Sequence, residues 1–524
     1  MTTAEYVRER PAGLRQAAEG TGARATGTPL DGVADLAASV PWGAPVLLTL
    51  ALGCYQVGRP ELWRDELASW SFASRPVSGL VASGRNTGAT QLVYYLLLHF
   101  WIAAFGDSAD AMRTLSVLAM AGAAACVTLV GRKLAGPRAG LASGLVFALV
   151  PSVSRFAQEV RFYALEVLVA TLATLLLLRA LERPSRWRWP AYAACLALLG
   201  CIDLVALSVV AGHAAGAALR WRQDRDHGQL WFVPAAAAGL AACVPLAVIG
   251  WAQAPNQVGW IPRPGVDLSA FSFFGRNLFY SASVAAALIV LAVLAWAVAR
   301  PEAACATAVA VAPVAVVWLA SQGPYSYFFP RYLLLTVGAW AVLAGIALSR
   351  LDVRIAVAAL AVVAVLGAGD QQVIRSPGAH SWPTYPAGTG GSYLDYAGAA
   401  AVIARQARPG DGIVYQFKGR ARPMLIDTGV EYYLGRDLRP GVPVPPELFI
   451  RETAAQADAL YSVQCKRPAL CVGHQPRIWL VGWGDLTNPT RVVTPAQAAV
   501  LRAHYRLSLL VHVESLTVFL MVRT

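Results

Sequence analysis

Two acidic side chains stand side by side in Trp63-Arg64-Asp65-Glu66, directly after the first strongly apolar run of the chain. Beside a membrane such a pair must stay hydrated or find partners. Glu66 to Trp70 reads as a short helix with Asp65 near its start, where the positive helix end favours an ionised acid. Capping of an exposed helix is the structural alternative. The chemical reading is a general base, or a metal ligand, facing a membrane-embedded substrate. A second set of polar groups lies in Ser154-Arg155-Phe156-Ala157-Gln158-Glu159-Val160-Arg161-Phe162-Tyr163, between an apolar run ending at Pro151 and the next one. A charge carried to the bilayer centre costs about 2.5–3.5 kcal/mol. Snorkelling would explain Arg155 and Arg161, but Gln158, Glu159, Arg161 and Tyr163 together exceed what anchoring needs. Arg155 and Glu159, four apart, could form a structural ion pair, whereas Arg161 and Glu166, five apart, do not share a helix face. The third set is Ser326-Tyr327-Phe328-Phe329-Pro330-Arg331-Tyr332. Pro330 starts a helix with Arg331 in its first turn. A cation at the positive end of a helix is unfavourable unless an anion binds there, so the pattern suits a phosphate; a membrane-anchoring arginine among aromatics is the alternative.

The elements that must position these groups are mostly membrane spans. The chain has 524 residues, 57% hydrophobic and 14% charged, with mean hydropathy +0.51, too apolar to cover a soluble protein with polar surface. Apolar segments fall at 43–58, 91–106, 111–131, 139–153, 160–180, 190–203, 204–219, 230–251, 282–299, 302–320, 331–349 and 352–369. The net charge of +13 does not imply nucleic acid, because the basic residues cluster in the gaps 132–138, 179–188 and 220–225 and at Arg300, Arg350 and Arg354. That is the pattern of cytoplasmic loops. Placing these gaps and the N-terminal tail on one side requires one early segment not to cross. The segment 91–106, short and carrying Tyr94, Tyr95, His99 and Trp101, reads as an interfacial helix at the outer surface. The expectation is then about eleven crossings in the cell (plasma) membrane, with the N-terminus cytoplasmic and the loop 59–110, Pro151–Arg161, Asp203, the turn 321–331 and residues 370–524 exoplasmic.

Residues 1–40 read as a disordered cytoplasmic tail, residues 41–369 as the membrane domain, and residues 370–524 as a small exoplasmic α/β domain. Within the last, helices are expected at 395–408, around 431–434 and at 495–505, strands at 412–417 and 477–481, a hairpin at 508–513 and 516–522, and a Pro/Gly-rich linker at 381–391. Six cysteines lie in apolar runs and read as core residues. Cys465 and Cys471, close together in the polar region, could form a disulfide outside the reducing cytoplasm. The seven histidines are scattered; His99 and His213 read as hydrogen-bonded core residues. There is no P-loop, no GxGxxG, no HExxH and no serine-hydrolase elbow.

The three polar sets, in this order, resemble the GT-C glycosyltransferases, specifically the polyprenyl-phosphate-sugar-dependent enzymes related to protein O-mannosyltransferases and aminoarabinose transferases. The matching stretches are Leu62-Trp63-Arg64-Asp65-Glu66, Gln158-Glu159-Val160-Arg161-Phe162-Tyr163-Ala164-Leu165 and Phe329-Pro330-Arg331-Tyr332-Leu333, with Val93-Tyr94-Tyr95-Leu96-Leu97-Leu98-His99 and Phe105-Gly106-Asp107. The resemblance spans about residues 43–350. It implies a GT-C membrane fold and inverting transfer of a sugar, mannose or a pentose such as arabinose, from a polyprenyl-phosphate donor to a glycan, lipid or protein acceptor hydroxyl on the outer face. Asp65 would then be the base, with Glu66 and Glu159 assisting. Arg331, Arg161 and Tyr163 would hold the donor phosphate, and Gln158, Tyr94 and His99 would contact acceptor or sugar. No cofactor is required, although a divalent cation between Asp65 and Glu159 would be compatible. Where relatives often carry prolines, this chain has Gly88-Ala89-Thr90-Gln91. The competing expectation is a transporter or flippase of lipid-linked saccharides, which predicts ionisable groups near mid-membrane and an internal repeat.

Overall fold

The computed structural model describes residues 42–378, 393–417 and 419–524; the expected tail at 1–40 and linker at 381–391 lie outside the described residues. Five helices are long and apolar enough to cross a membrane: Ala109–Ala135, Tyr163–Glu182, Arg300–Ala320, Pro330–Ser349 and Val353–Val373. Three bent pairs raise the number to eight among the described residues, and Gly43–Cys54, Ala89–Phe105 and Arg188–Ile202 are shorter apolar helices. The expected continuous segment 139–153 is one of the bent pairs: Pro137–Leu149 and Pro151–Ala157 meet at 63°. Pro151 cannot continue the ladder, and the turn it forces keeps residues 151–162 buried inside the bundle rather than in an open loop.

Two long helices define the polarity of the bundle. Ala109–Ala135, about 40 Å long, carries Arg113 bonded to Glu66 near its start and Lys133 paired with Glu182 near its end. The helix Tyr163–Glu182, about 30 Å long, runs from the polar cluster to that Glu182. Arg350 pairs with Glu302, and Lys133, Glu182, Arg220, Arg300 and Glu302 line one cavity. The basic gaps are therefore gathered at the end of the bundle opposite Asp65. The helices approach closely through small residues: a methyl added at Gly345 would lie 2.5 Å from the Ser143 backbone nitrogen, and one at Gly140 would lie 2.6 Å from the Thr128 carbonyl.

Beyond the bundle, β1 (Gly412–Tyr415), β4 (Arg477–Trp483), β6 (Leu516–Arg523) and β5 (Tyr505–Val513) form a mixed sheet in the order β1-β4-β6-β5, with only β1 and β4 parallel. A two-stranded ribbon pairs β2 (Ile450–Glu452) with β3 (Val463–Gln464). Alternation along β4 and β6 fills two cores: Trp479, Val481, Val518 and Leu520 enter one, and Ile478, Leu480, Phe519 and Met521 enter the other, as period-two side chains of a sheet covered on both faces must. Helices Tyr396–Gln406, Ile426–Asp437 and Pro495–His504 lie where helical patterning places them. The first is capped by Asp395, which accepts from the Gly398 N–H, and the last by Thr494. Cys465 and Cys471 are joined by a disulfide, their Cα atoms 6.5 Å apart.

Candidate active site

The helix Arg64–Ala73 opens with Asp65 and Glu66 in its first turn, and the two carboxylates face different partners. Glu66 is fully buried. It accepts from Arg113 Nε at 2.9 Å and Nη2 at 2.8 Å, from the Val160 N–H at 2.9 Å and from the Trp63 N–H at 3.4 Å. Arg113 also donates to the carbonyls of Val57, Pro60 and Glu61. One buried ion pair thus sets the first loop, its helix and the segment 158–162 in fixed relation, which leaves Glu66 no lone pair for chemistry and gives it a bracing geometry.

Asp65 keeps a 20% exposed side chain and meets Arg331 Nη1 at 2.9 Å and Arg64 Nε at 3.5 Å. Burial pushes its pKa up, but Arg331, Arg64 and Arg161 outweigh that and hold the carboxyl below its ordinary value. Arg331 sits at the start of Pro330–Thr336, a 3-10 turn that leads into Val337–Ser349. Its guanidinium lies 5.2–5.8 Å from the ring centroids of Phe329, Tyr332, Tyr163 and Trp63. Four ring faces hold the charge in place without neutralising it.

Glu159 is reached from the same Trp63, whose indole Nε1–H donates to it at 3.1 Å. Its other oxygen accepts from Arg155 at 3.1 Å, so the i,i+4 pair legible in the sequence forms. Ser116 donates to the Glu159 carbonyl at 2.6 Å. Arg161 lies over Phe162 and Tyr163 and donates to Ser69 at 3.4 Å. Tyr94 is buried against Phe162. Asp65, Glu66, Glu159, Arg161, Tyr163, Tyr94 and Arg331 therefore converge. Gln158 instead donates to the carbonyls of Gly53 and Tyr55 at 2.9 Å each, and His99 Nδ1 bonds the Ala73 carbonyl at 2.8 Å; both brace backbone. His213 bridges Thr174 and Tyr192, a satisfied core histidine as expected.

A cation between Asp65 and Glu159 would have to compete with the cations already there: each oxygen of Glu159 accepts one bond, from Trp63 or Arg155, and Asp65 faces two guanidinium groups. No group of three or more His, Cys, Asp or Glu side chains is arranged for a metal among the described residues.

Sequence reading missed Arg113, Trp63 as a bridge, and the role of the C-terminal elements. A lone arginine at the start of a 27-residue apolar helix was a legible signal; the others were not. Tyr433 accepts from the Leu62 N–H at 2.8 Å, Tyr432 packs edge-on to Trp70, Arg436 pairs with Asp107 at 2.7 Å, and Arg75 donates to the Ala459 carbonyl at 2.6 Å. Residues 432–459 thus clamp the loop that carries Asp65.

Residues 90–250 match the family model described as dolichyl-phosphate-mannose-protein mannosyltransferase. No curated protein matches the chain significantly. Among solved structures, ArnT from Cupriavidus metallidurans in the apo state shares the fold with TM-score 0.56 at 15% identity, over 93% of this chain and 98% of that one. The same protein bound to undecaprenyl phosphate gives 0.55 at 14% identity, over 91% and 97%. A weaker likeness, TM-score 0.45 at 12% identity over 88% of this chain and 71% of the other, is to the Archaeoglobus fulgidus oligosaccharyltransferase. The GT-C resemblance read from the motifs is met by both kinds of comparison, and the fold is that of a GT-C membrane protein.

Proposed function

We propose that the chain is an inverting glycosyltransferase that moves a sugar, mannose or a pentose such as arabinose, from a polyprenyl-phosphate donor to an acceptor hydroxyl, with Asp65 as general base. The observation that carries this reading is the 2.9 Å contact between Asp65 and Arg331, 266 residues apart, in a cluster with Arg161, Tyr163 and Glu159. A base and a phosphate-binding cation occupy one site. The family match and the undecaprenyl-phosphate complex of the similar fold support the donor class.

The reaction follows from these side chains. The acceptor oxygen attacks the anomeric carbon as its proton passes to Asp65. The bond from that carbon to the phosphate oxygen breaks, and the polyprenyl phosphate leaves as an anion held by Arg331 and Arg161. One displacement inverts the anomeric configuration. Glu66 acts by position, through Arg113 and Val160, and Glu159 by orienting Trp63 against Arg331. The basic end of the bundle supports a cytoplasmic placement for that end and an exoplasmic one for the site. It also supports an exoplasmic C-terminal α/β domain, in keeping with its disulfide. Ionisable groups gathered mainly at the two ends of the bundle, the site at one and the basic gaps at the other, give no support to a transporter or flippase. Purified protein incubated with a panel of polyprenyl-phosphate sugars tests the proposal: consumption of one donor with inverted product, abolished in Asp65→Ala, is expected, and no consumption of any donor refutes it.

A further inference from the structure

Next to the site lies a cavity of about 490 Å³ whose walls include Phe162, Tyr332, Trp251, Tyr327 and Asp203. Phe162 and Tyr332 directly follow Arg161 and Arg331 in the chain, so the cavity adjoins the two phosphate-binding cations. Most of the lining is apolar, and among its described residues there is no lysine or arginine. One group does not belong in such a wall. Asp203, just past the helix Arg188–Ile202, is 8% exposed. Its Oδ1 accepts from the Val205 N–H at 2.9 Å, while its Oδ2 is buried with no hydrogen-bond partner. The Ser208 hydroxyl in the same wall is also unpartnered, and Glu166, fully buried, is near enough to feel the charge of Asp203. A buried acceptor left unsatisfied costs about 1–3 kcal/mol, and beside an isoprenoid chain that cost would never be recovered.

We propose that this cavity seats the glycosyl group of the donor and that Asp203 reads it by accepting a hydrogen bond from a hydroxyl or ammonium group of the sugar. The inference rests on the glycosyltransferase reading and narrows its substrate class. The donor sugar is neutral or cationic and presents a hydrogen-bond donor to Asp203. A sugar carrying a carboxylate is disfavoured, because it sets an acceptor rather than a donor against the unpartnered Oδ2 of Asp203. Trp251 and Tyr327 supply flat apolar surface for the ring, and the phosphate falls towards Arg161 and Arg331.

Asp203→Asn is the appropriate variant, because asparagine keeps Oδ1 for the Val205 N–H and converts only the oxygen that has no partner. The probes are bare polyprenyl phosphate and the same carrier bearing a hexose, a pentose, an amino-pentose or a uronic acid. The readout is the ratio of affinities of sugar-bearing to bare carrier, obtained by displacement in detergent without turnover. In the parent protein we expect a ratio of 10 or more for at least one non-acidic sugar and none for the uronic acid. An amino-pentose preferred over a neutral pentose identifies an ammonium partner, and the reverse identifies a hydroxyl. In Asp203→Asn the ratio collapses towards one while bare-carrier affinity stays within twofold. Equal weakening of bare carrier would show that the cavity holds the isoprenoid chain, and an unchanged ratio would remove Asp203 from recognition; either overturns the proposal. Because the ratio is read without catalysis, a protein that discriminates sugars but transfers none would sink the enzyme reading and leave this one standing.

Discussion

Asp65 and Glu66 are adjacent in sequence and opposite in consequence, and paired isosteric substitutions separate them. In Glu66→Gln one oxygen becomes an amide NH2. The two oxygens each face two donors: Oε1 faces Arg113 Nε and the Val160 N–H, and Oε2 faces Arg113 Nη2 and the Trp63 N–H. Either orientation of the amide therefore turns a donor towards donors and leaves the Arg113 charge uncompensated in a fully buried place. Breaking a buried pair in this way costs about 3–5 kcal/mol, read as a loss of roughly 5–10 °C in Tm. Asp65 is 20% exposed and lacks the four-donor enclosure of Glu66, and Arg331 keeps its ring faces when the carboxylate charge is lost, so Asp65→Asn should lower Tm by less than Glu66→Gln does. Its effect falls on the reaction: kcat drops by about 10²–10⁴, while the KM for the donor holds or falls, because Arg331 is released for the phosphate. The assays are thermal unfolding in detergent and steady-state transfer from the donor identified in the panel. Asp65→Asn with kcat within tenfold of the parent, or Glu66→Gln with unchanged Tm, would refute the division of labour argued here.

Three further outcomes follow from the same geometry. Arg331→Lys keeps a charge but loses the planar fork; transfer should fall about 10²-fold and bare polyprenyl-phosphate affinity at least tenfold, and unchanged affinity would exclude Arg331 from the phosphate site. Because the Asp65 carboxyl is held low in the free protein and a bound anion would offset the cations that depress it, the acid limb of kcat should lie at higher pH than that of kcat/KM, with activity lost as pH falls through each; coincident limbs would contradict it. Glu61 has its pKa raised to about 7, first by burial and despite a hydrogen bond from Tyr393. Its folded form binds the proton more tightly than the unfolded form, so it favours folding least above pH 7, and Glu61→Gln should stabilise the protein at pH 8 by about 2–3 kcal/mol but not at pH 4.5. Equal melting of the two proteins at pH 8 would show that Glu61 gains a compensating partner.

What the sequence made legible was whatever depends on local pattern. Hydropathy located the apolar helices, of which five among the described residues, or up to eight with the bent pairs, are long and apolar enough to cross a membrane, against about eleven crossings expected; alternation located β4 and β6, and Asp395 announced its helix, because each of these is decided within a few residues. The three polar sets were visible for a related reason: charge beside a membrane is costly enough to stand out. The division of roles within them was not visible. Nothing local distinguishes Asp65 from Glu66; Arg113 does, from 47 residues away. Gln158 looked equivalent to its site-lining neighbours and is turned to backbone carbonyls by helices that meet only in three dimensions, whereas His99, which the resemblance placed at the acceptor, keeps the core role its apolar surroundings indicated. The bend at Pro151 was written in the sequence as a helix end, but that the segment beyond it would fold back into the bundle depends on Glu66 capturing the Val160 N–H.

The ion pair between Asp65 and Arg331 has a physical logic beyond proximity. A base kept against a guanidinium is a poor base, and a phosphate site filled by a carboxylate is a closed one. In the mechanism we propose, each group holds the other idle until the donor arrives. In that proposed mechanism, a donor phosphate arriving between Arg331 and Arg161 would displace Asp65 from the first and add a negative charge beside it, so the same event would bind the leaving group and raise the basicity of the carboxylate that takes the acceptor's proton. Four aromatic rings around Arg331 keep the cation in place while its partner changes, and the buried Glu66–Arg113 pair keeps the helix of Asp65 from following. Rigidity in one acidic residue is what allows its neighbour to exchange partners.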